Sequence, residues 1–163
     1  MVRWMEVLSK LDHEHHMRRA IEISHGNPDA PFGCVIADGQ TGETLAEGLN
    51  EAEKSPILHG EIDAVIRLFN THPNVDHSHL VLYTTAEPCP MCSGAILWSG
   101  IPRVVIGTSI QTLKCLGLPQ IDLPCEEVAS RASFGGFEVT RGVLEAECDG
   151  LFVKMARRSV EGS

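Results

Sequence analysis

The run Leu80-Val81-Leu82-Tyr83-Thr84-Thr85, followed by Pro88-Cys89-Pro90, Ala95-Ile96-Leu97-Trp98 and Arg103-Val104-Val105-Ile106-Gly107, decides the fold of this chain. The first segment is short, β-branched and aromatic, which predicts a buried strand. A proline directly after Cys89 suits the first turn of a helix, where its missing N–H has no helical acceptor to lose, and the apolar residues through Trp98 continue that helix. Residues 103–107 read as the next strand. Strand, helix, strand in that order predicts parallel neighbours in one sheet with helices packed on its faces.

Upstream, Ile62, Val65, Ile66 and Phe69 recur at helical spacing from residue 60 onward, with Glu61 and Asp63 in a first turn that favours acidic side chains. The segments 32–37 and 44–49 flank the turn-rich Asp38-Gly39-Gln40-Thr41-Gly42 and read as a hairpin. Residues 2–25 carry Met5, Leu8, Met17, Ile21 and Ile23 among charges, an opening amphipathic helix closed near Gly26-Asn27-Pro28. Downstream, Leu116-Gly117-Leu118-Pro119 and Leu123-Pro124 break the periodicity, and residues 137–140 and 144–158 read as an edge strand and a closing helix. The expected class is α/β, a three-layer α/β/α sandwich with a mixed central sheet, in a single domain over 1–163.

With 43% hydrophobic and 21% charged residues the chain can bury a real core, which excludes disordered and fibrous classes. Thirteen Lys and Arg against 22 Asp and Glu give a net charge of -9, which argues against a phosphate backbone as partner and for a small molecule. The basic stretch Lys154-Met155-Ala156-Arg157-Arg158 reads as a helix C-terminus meeting its own dipole. Met1 to Glu6 run into charges instead of an apolar leader, and no run approaches the roughly 18 apolar residues of a membrane span, so a cytoplasmic protein is expected. In a reducing compartment the cysteines at 34, 89, 92, 115, 125 and 148 serve metal binding or burial rather than disulfides.

Spacing separates those uses. Cys89 and Cys92 lie three apart at a helix start, where both sulfurs can face one point and the dipole favours thiolate. His59 begins the other helix. Three nitrogen or thiolate donors with a position left for water make a catalytic zinc site, one Zn²⁺ per chain. Glu61, two residues past His59, is close enough to share the pocket while staying outside the ligand set, as a proton shuttle must. The chemistry implied is hydrolytic removal of an amino group from an amidine-like carbon.

His59-Gly60-Glu61 followed by Pro88-Cys89-Pro90-Met91-Cys92 resembles the H-x-E and P-C-x-x-C signature of the cytidine deaminase-like superfamily of zinc deaminases. The likeness runs over about positions 30 to 108 and extends to Pro31-Phe32-Gly33, Asn50, Leu82-Tyr83-Thr84-Thr85 and Gly94-Ala95-Ile96, which resemble the free-base branch. Glu87-Pro88-Cys89-Pro90-Met91-Cys92 and Trp98 look like bacterial guanine deaminases, whereas Leu58-His59-Gly60-Glu61 and Gly100-Ile101-Pro102-Arg103 look like fungal cytosine deaminase. The acidic Phe-Asp-Asp element of the first is absent after Gly107, as is the aromatic C-terminal segment of the second. The resemblance implies a small heterocyclic base as substrate, with Asn50 donating its amide to it and the Gly60 backbone N–H contacting a carbonyl oxygen. It also implies a homodimer.

Rival readings are a tRNA adenosine deaminase, which shares the ligand motif, and a non-catalytic zinc-stabilised binding module, for which Cys115 or Cys148 would have to be a fourth ligand. The alternative reading of Asn50 is a turn residue. His13, His15 and His16, and His72, His77 and His79, are expected to be solvated; Cys34, Cys125 and Cys148 to be small core residues; Phe32 and Trp98 to fill core rather than stack on a base.

Overall fold

The computed structural model describes residues 11–162. Helix α1 (His13–Ser24) leads into the hairpin of β1 (Gly33–Asp38) and β2 (Thr44–Leu49), then α2 (Gly60–Thr71), a 3-10 turn at His77–His79 and β3 (Leu80–Ala86). Helix α3 (Pro90–Trp98) crosses to β4 (Arg103–Thr108). The chain closes with α4 (Ile110–Cys115), α5 (Cys125–Ser130), β5 (Glu138–Thr140) and α6 (Glu145–Glu161). Methionine 5 and Leu8, read as part of the opening helix, lie outside the described residues. No described helix is long and apolar enough to cross a membrane.

The five strands order as β2-β1-β3-β4-β5, antiparallel between β2, β1 and β3 and parallel between β3, β4 and β5, the mixed sheet expected. Strand periodicity sorts the core into two faces. Cys34, Ile36, Leu80, Leu82, Val104 and Ile106 point to the side covered by Ala64 and Leu68 of α2 and Ile96 of α3. Their alternates Val35, Ala37, Val81, Tyr83 and Val105 meet Met17 and Ala20 of α1 and Cys148 of α6. Two helical layers around one sheet result, and Cys34, Cys125 and Cys148 are buried as expected.

Two expectations are corrected. Histidine 16 is not solvated: it is 2% exposed, its ring tilts against Tyr83, and its Nδ1 has no hydrogen-bond partner among the described residues, while the half-buried His13 Nδ1 lies 2.9 Å from the Tyr83 hydroxyl. Helical spacing placed three histidines together but could not say which faced the sheet. Trp98 is 79% exposed and stacks on Phe134 at 4.2 Å between ring centroids, because α3 buries Cys92, Ser93, Ile96 and Leu97 instead. Helices α4 and α5 were not legible, since each is only six residues long.

Burial lowers the pKa of both His13 and His16, with Asp12 opposing it and neighbouring cations adding to it. Above the unfolded value near 6.5 both states are neutral there. Below it the unfolded chain takes up protons first, so stability falls as pH drops toward the folded pKa. Thermal melts between pH 7.5 and 5.5 should therefore show a falling midpoint for the wild type and a shallower fall for His16→Gln.

Close packing also fixes α2 on the hairpin. A Cβ at Gly48 would lie 2.2 Å from Gly60 O and 2.4 Å from Ala64 N, so Gly48→Ala should cost about 1–3 kcal/mol by urea denaturation. Gly150→Ala, with nothing within 4 Å in α6, should instead stabilise by about 0.5–1 kcal/mol.

Candidate metal centre and active site

Helices α2 and α3 begin side by side, and the residues at their N-caps are His59 and Cys89. Neither side chain caps its own helix. Both are thereby free to face a shared point, with the positive ends of two helix dipoles behind them. His59 Nδ1 lies 3.7 Å from Cys89 Sγ and 3.6 Å from Cys92 Sγ, and the three donor atoms fall within 4.8 Å of one another. A tetrahedral ion with bonds of about 2.0–2.1 Å to nitrogen and 2.3 Å to sulfur needs N···S edges of about 3.6 Å, so the donor set fits zinc. Among the described residues no fourth His, Cys, Asp or Glu joins this group. Cys115 is exposed, and the Cys148 sulfur packs behind Gly107, so neither supplies the extra ligand that a purely structural site would use.

The thiols are unequal. Hydrogen bonding from Cys92 pulls Cys89 down to about 4 against the effect of its burial, and His59 adds to the pull. The bond shared with Cys89, together with burial, pushes Cys92 up. Metal binding must displace the Cys92 proton, so loading is proton-linked.

Glu61 is 4% exposed, in the first turn of α2. Burial raises its pKa, only partly offset by its own backbone N–H and the Thr84 hydroxyl. Thr84 Oγ1, on the α2-facing side of β3, lies 2.9 Å from Glu61 Oε1 and 2.9 Å from Ala86 O. Its single proton can serve one of these at a time. It can donate to an ionised Glu61, or donate to Ala86 and accept from a protonated one, so both charge states have a partner.

Asn50 follows β2 and is 6% exposed. Its backbone N–H donates to Phe32 O and its carbonyl accepts from Asn27 Nδ2. Its Oδ1 accepts from Ala52 N, an Asx turn, so the turn reading holds for the oxygen while Nδ2 remains available as a donor. Gly60 sits where a Cβ would meet Phe32 O at 2.5 Å, and its N–H, in the first turn of α2, has no intrahelical acceptor. Phe32 leans on Phe152, and both Phe32 and Asn50 line one cavity with His59, Glu61 and Cys89. All six residues singled out from the sequence thus converge on the same end of the sheet.

Glu87, Gln120 and Arg141 carried no role in the sequence reading. Glu87 N–H extends the β3–β4 pairing to Thr108 O, and its buried carboxylate accepts from Ile110 N, Cys125 N and both Nη atoms of Arg141. Burial alone would raise its pKa; the guanidinium and two amides outweigh that and hold it below the usual carboxylate value. Glu126 also binds Arg141, so the grouping of Glu87, Cys125 and Glu126 is an ion-paired clamp in which a cation is already the side chain's own. A charged residue ending a buried strand could have signalled a required partner, but nothing local points to Arg141, 54 residues on.

With the fold and donor set in place, the chain defines a zinc-binding domain with a buried carboxyl beside the donor set. Residues 10–108 match the cytidine and deoxycytidylate deaminase zinc-binding region, and the chain belongs to that family. It is 34% identical to a probable cytosine deaminase of Schizosaccharomyces pombe over 74% of this chain and 75% of that protein. It is 33% identical to a tRNA-specific adenosine deaminase of Streptococcus pyogenes serotype M1 over 86% and 79%. The solved guanine deaminase from Nitrosomonas europaea superposes with a TM-score of 0.77 at 25% identity, covering 88% of this chain and 84% of that one.

Removing the clamp's cation leaves Glu87 buried with only its amide partners. Arg141→Leu should cost on the order of 1–3 kcal/mol in urea denaturation, with faster amide exchange around Ile110 and Cys125.

Proposed function

We propose that residues 1–163 form one cytoplasmic domain that hydrolytically deaminates a small free nucleobase, of guanine or cytosine type, or a close heterocyclic analogue. The observation that carries this reading is the buried Glu61 carboxyl beside the His59, Cys89 and Cys92 donors, where burial favours its protonated form. Bound zinc supplies a Lewis acid that lowers the pKa of a water molecule toward about 7. Glu61 would carry one proton from the attacking water to a ring nitrogen of the base, and then the proton of the hydroxyl left on the carbon to the amine that leaves as ammonia. Thr84 keeps the carboxyl oriented in both charge states. Asn50 Nδ2 and the Gly60 N–H are the donors offered to the base, and a buried polar edge left without its partner would cost about 1–3 kcal/mol, enough to select among bases.

Six free thiols suit a reducing compartment. The stacked, exposed Trp98 and Phe134 give α3 an apolar outer face that supports a homodimer.

The tRNA reading is favoured by the 33% identity to tRNA-specific adenosine deaminases and opposed by the net charge of -9. Ammonia release from guanine, cytosine, isocytosine, adenine and their nucleosides separates the two. Free-base turnover is expected from the wild type, with Glu61→Ala retaining zinc by mass spectrometry and losing at least a hundredfold in rate. Glu61→Ala turning over at the wild-type rate would refute the mechanism. Salt-sensitive tRNA binding with no free-base turnover would hand the function to the second reading.

A further inference from the structure

The cavity beside the donor set has a polar inventory that can be settled by elimination. His59 and Cys89 face the metal position, and Glu61 is held by Thr84. Glu87 accepts from two amides and from Arg141, and Ala52 N takes one lone pair of Asn50 Oδ1. Gln120 completes the lining, is half-buried, and its amide has no hydrogen-bond partner among the described residues.

That amide stands on a fixed wall. Residues 116–124 join α4 to α5, with Gly117 N bonded to Lys114 O and Leu118 N to Leu113 O. Leu118 is buried against Phe152 and Leu113, Lys114 pairs with Asp122 across the link, and prolines stand at 119 and 124. At the far end Cys125 N is bonded to Glu87. The backbone that carries Gln120 is therefore held in place, and binding has only its side chain left to order.

We infer that Gln120 reads the substrate's edge, and that the substrate class is a heterocycle with a ring N–H beside a carbonyl, in addition to the carbon that loses its amine. This inference rests on the function proposed above. The planar glutamine amide offers one acceptor and a donor side by side, the pairing by which Gln recognises a donor–acceptor base edge. Asn50 Nδ2 adds a donor. Counting the Gly60 N–H, three donors and one acceptor are complemented by a lactam edge with one further ring acceptor: the carbonyl oxygen takes two hydrogen bonds through its two lone pairs, a ring nitrogen takes one and the ring N–H gives one. Cytosine, isocytosine and guanine carry such an edge; adenine does not.

The test is steady-state ammonia release by the zinc-loaded full chain on those four bases, for wild type, Gln120→Leu and Gln120→Glu, with zinc content and melting midpoint confirming each variant is folded. The lactam-bearing bases should be the wild-type substrates. Gln120→Leu should lose at least tenfold in kcat/KM on the preferred base, with KM carrying the loss and kcat within about threefold. Gln120→Glu, which keeps the acceptor but loses the donor, should lose less in KM than Gln120→Leu and provides the measurement should the leucine variant fail to fold. Both variants within twofold of wild type on every base, or a wild type that prefers adenine, overturns the inference while leaving deamination intact. A wild type that releases ammonia from none of the bases overturns the function itself, and this inference with it.

Discussion

The structure turns on two helix starts that meet at one end of a sheet. The N-cap residue of a helix normally accepts a hydrogen bond from its first turn, a contact whose loss costs about 1 kcal/mol. In α2 and α3 that position is held by His59 and Cys89, and neither makes the bond. The positive ends of both helix dipoles face the point where His59, Cys89 and Cys92 meet. The parallel β3–α3–β4 crossover sets the second helix start, and the glycine contact of Gly48 with Gly60 O draws the first one up to it.

Once the helices are placed, two buried glutamates a few residues from the donor set take opposite characters. Glu87 is saturated by two amides and a guanidinium, and stays ionised. Glu61 has one shared hydroxyl and a protein wall, and burial raises its pKa. Environments that drive two carboxyls apart in this way suit one to an ion pair and the other to holding a proton, as the proposed function requires. The clamp around Glu87 joins β3, α4, α5 and the segment after β5, so the wall bearing Gln120 is held by the same carboxylate that follows Ala86 at the end of the strand.

The far face of the sheet carries none of this chemistry. Tyr83 and Thr84 are neighbours on β3, yet the strand's period of two sends Tyr83 to the α1 histidines and Thr84 to Glu61. A one-residue slip of β3 would exchange them and empty the site of its threonine.

The order of elements up to β4, the mixed sheet and the grouping of His59, Cys89 and Cys92 beside Glu61 were legible in the sequence. Each is written locally, as an apolar period, a helix-start proline or a spacing of two or three residues. Asn50 and Gly60 came from resemblance alone, and the fold added the reason that Gly60 admits no side chain and that Nδ2 of Asn50 is free. The burial of His16, the exposure of Trp98, the Glu87–Arg141 clamp and the position of Gln120 were decided by tertiary structure. These depend on which face of a helix meets the sheet, and on side chains tens of residues apart arriving within 3 Å, and no local pattern encodes either.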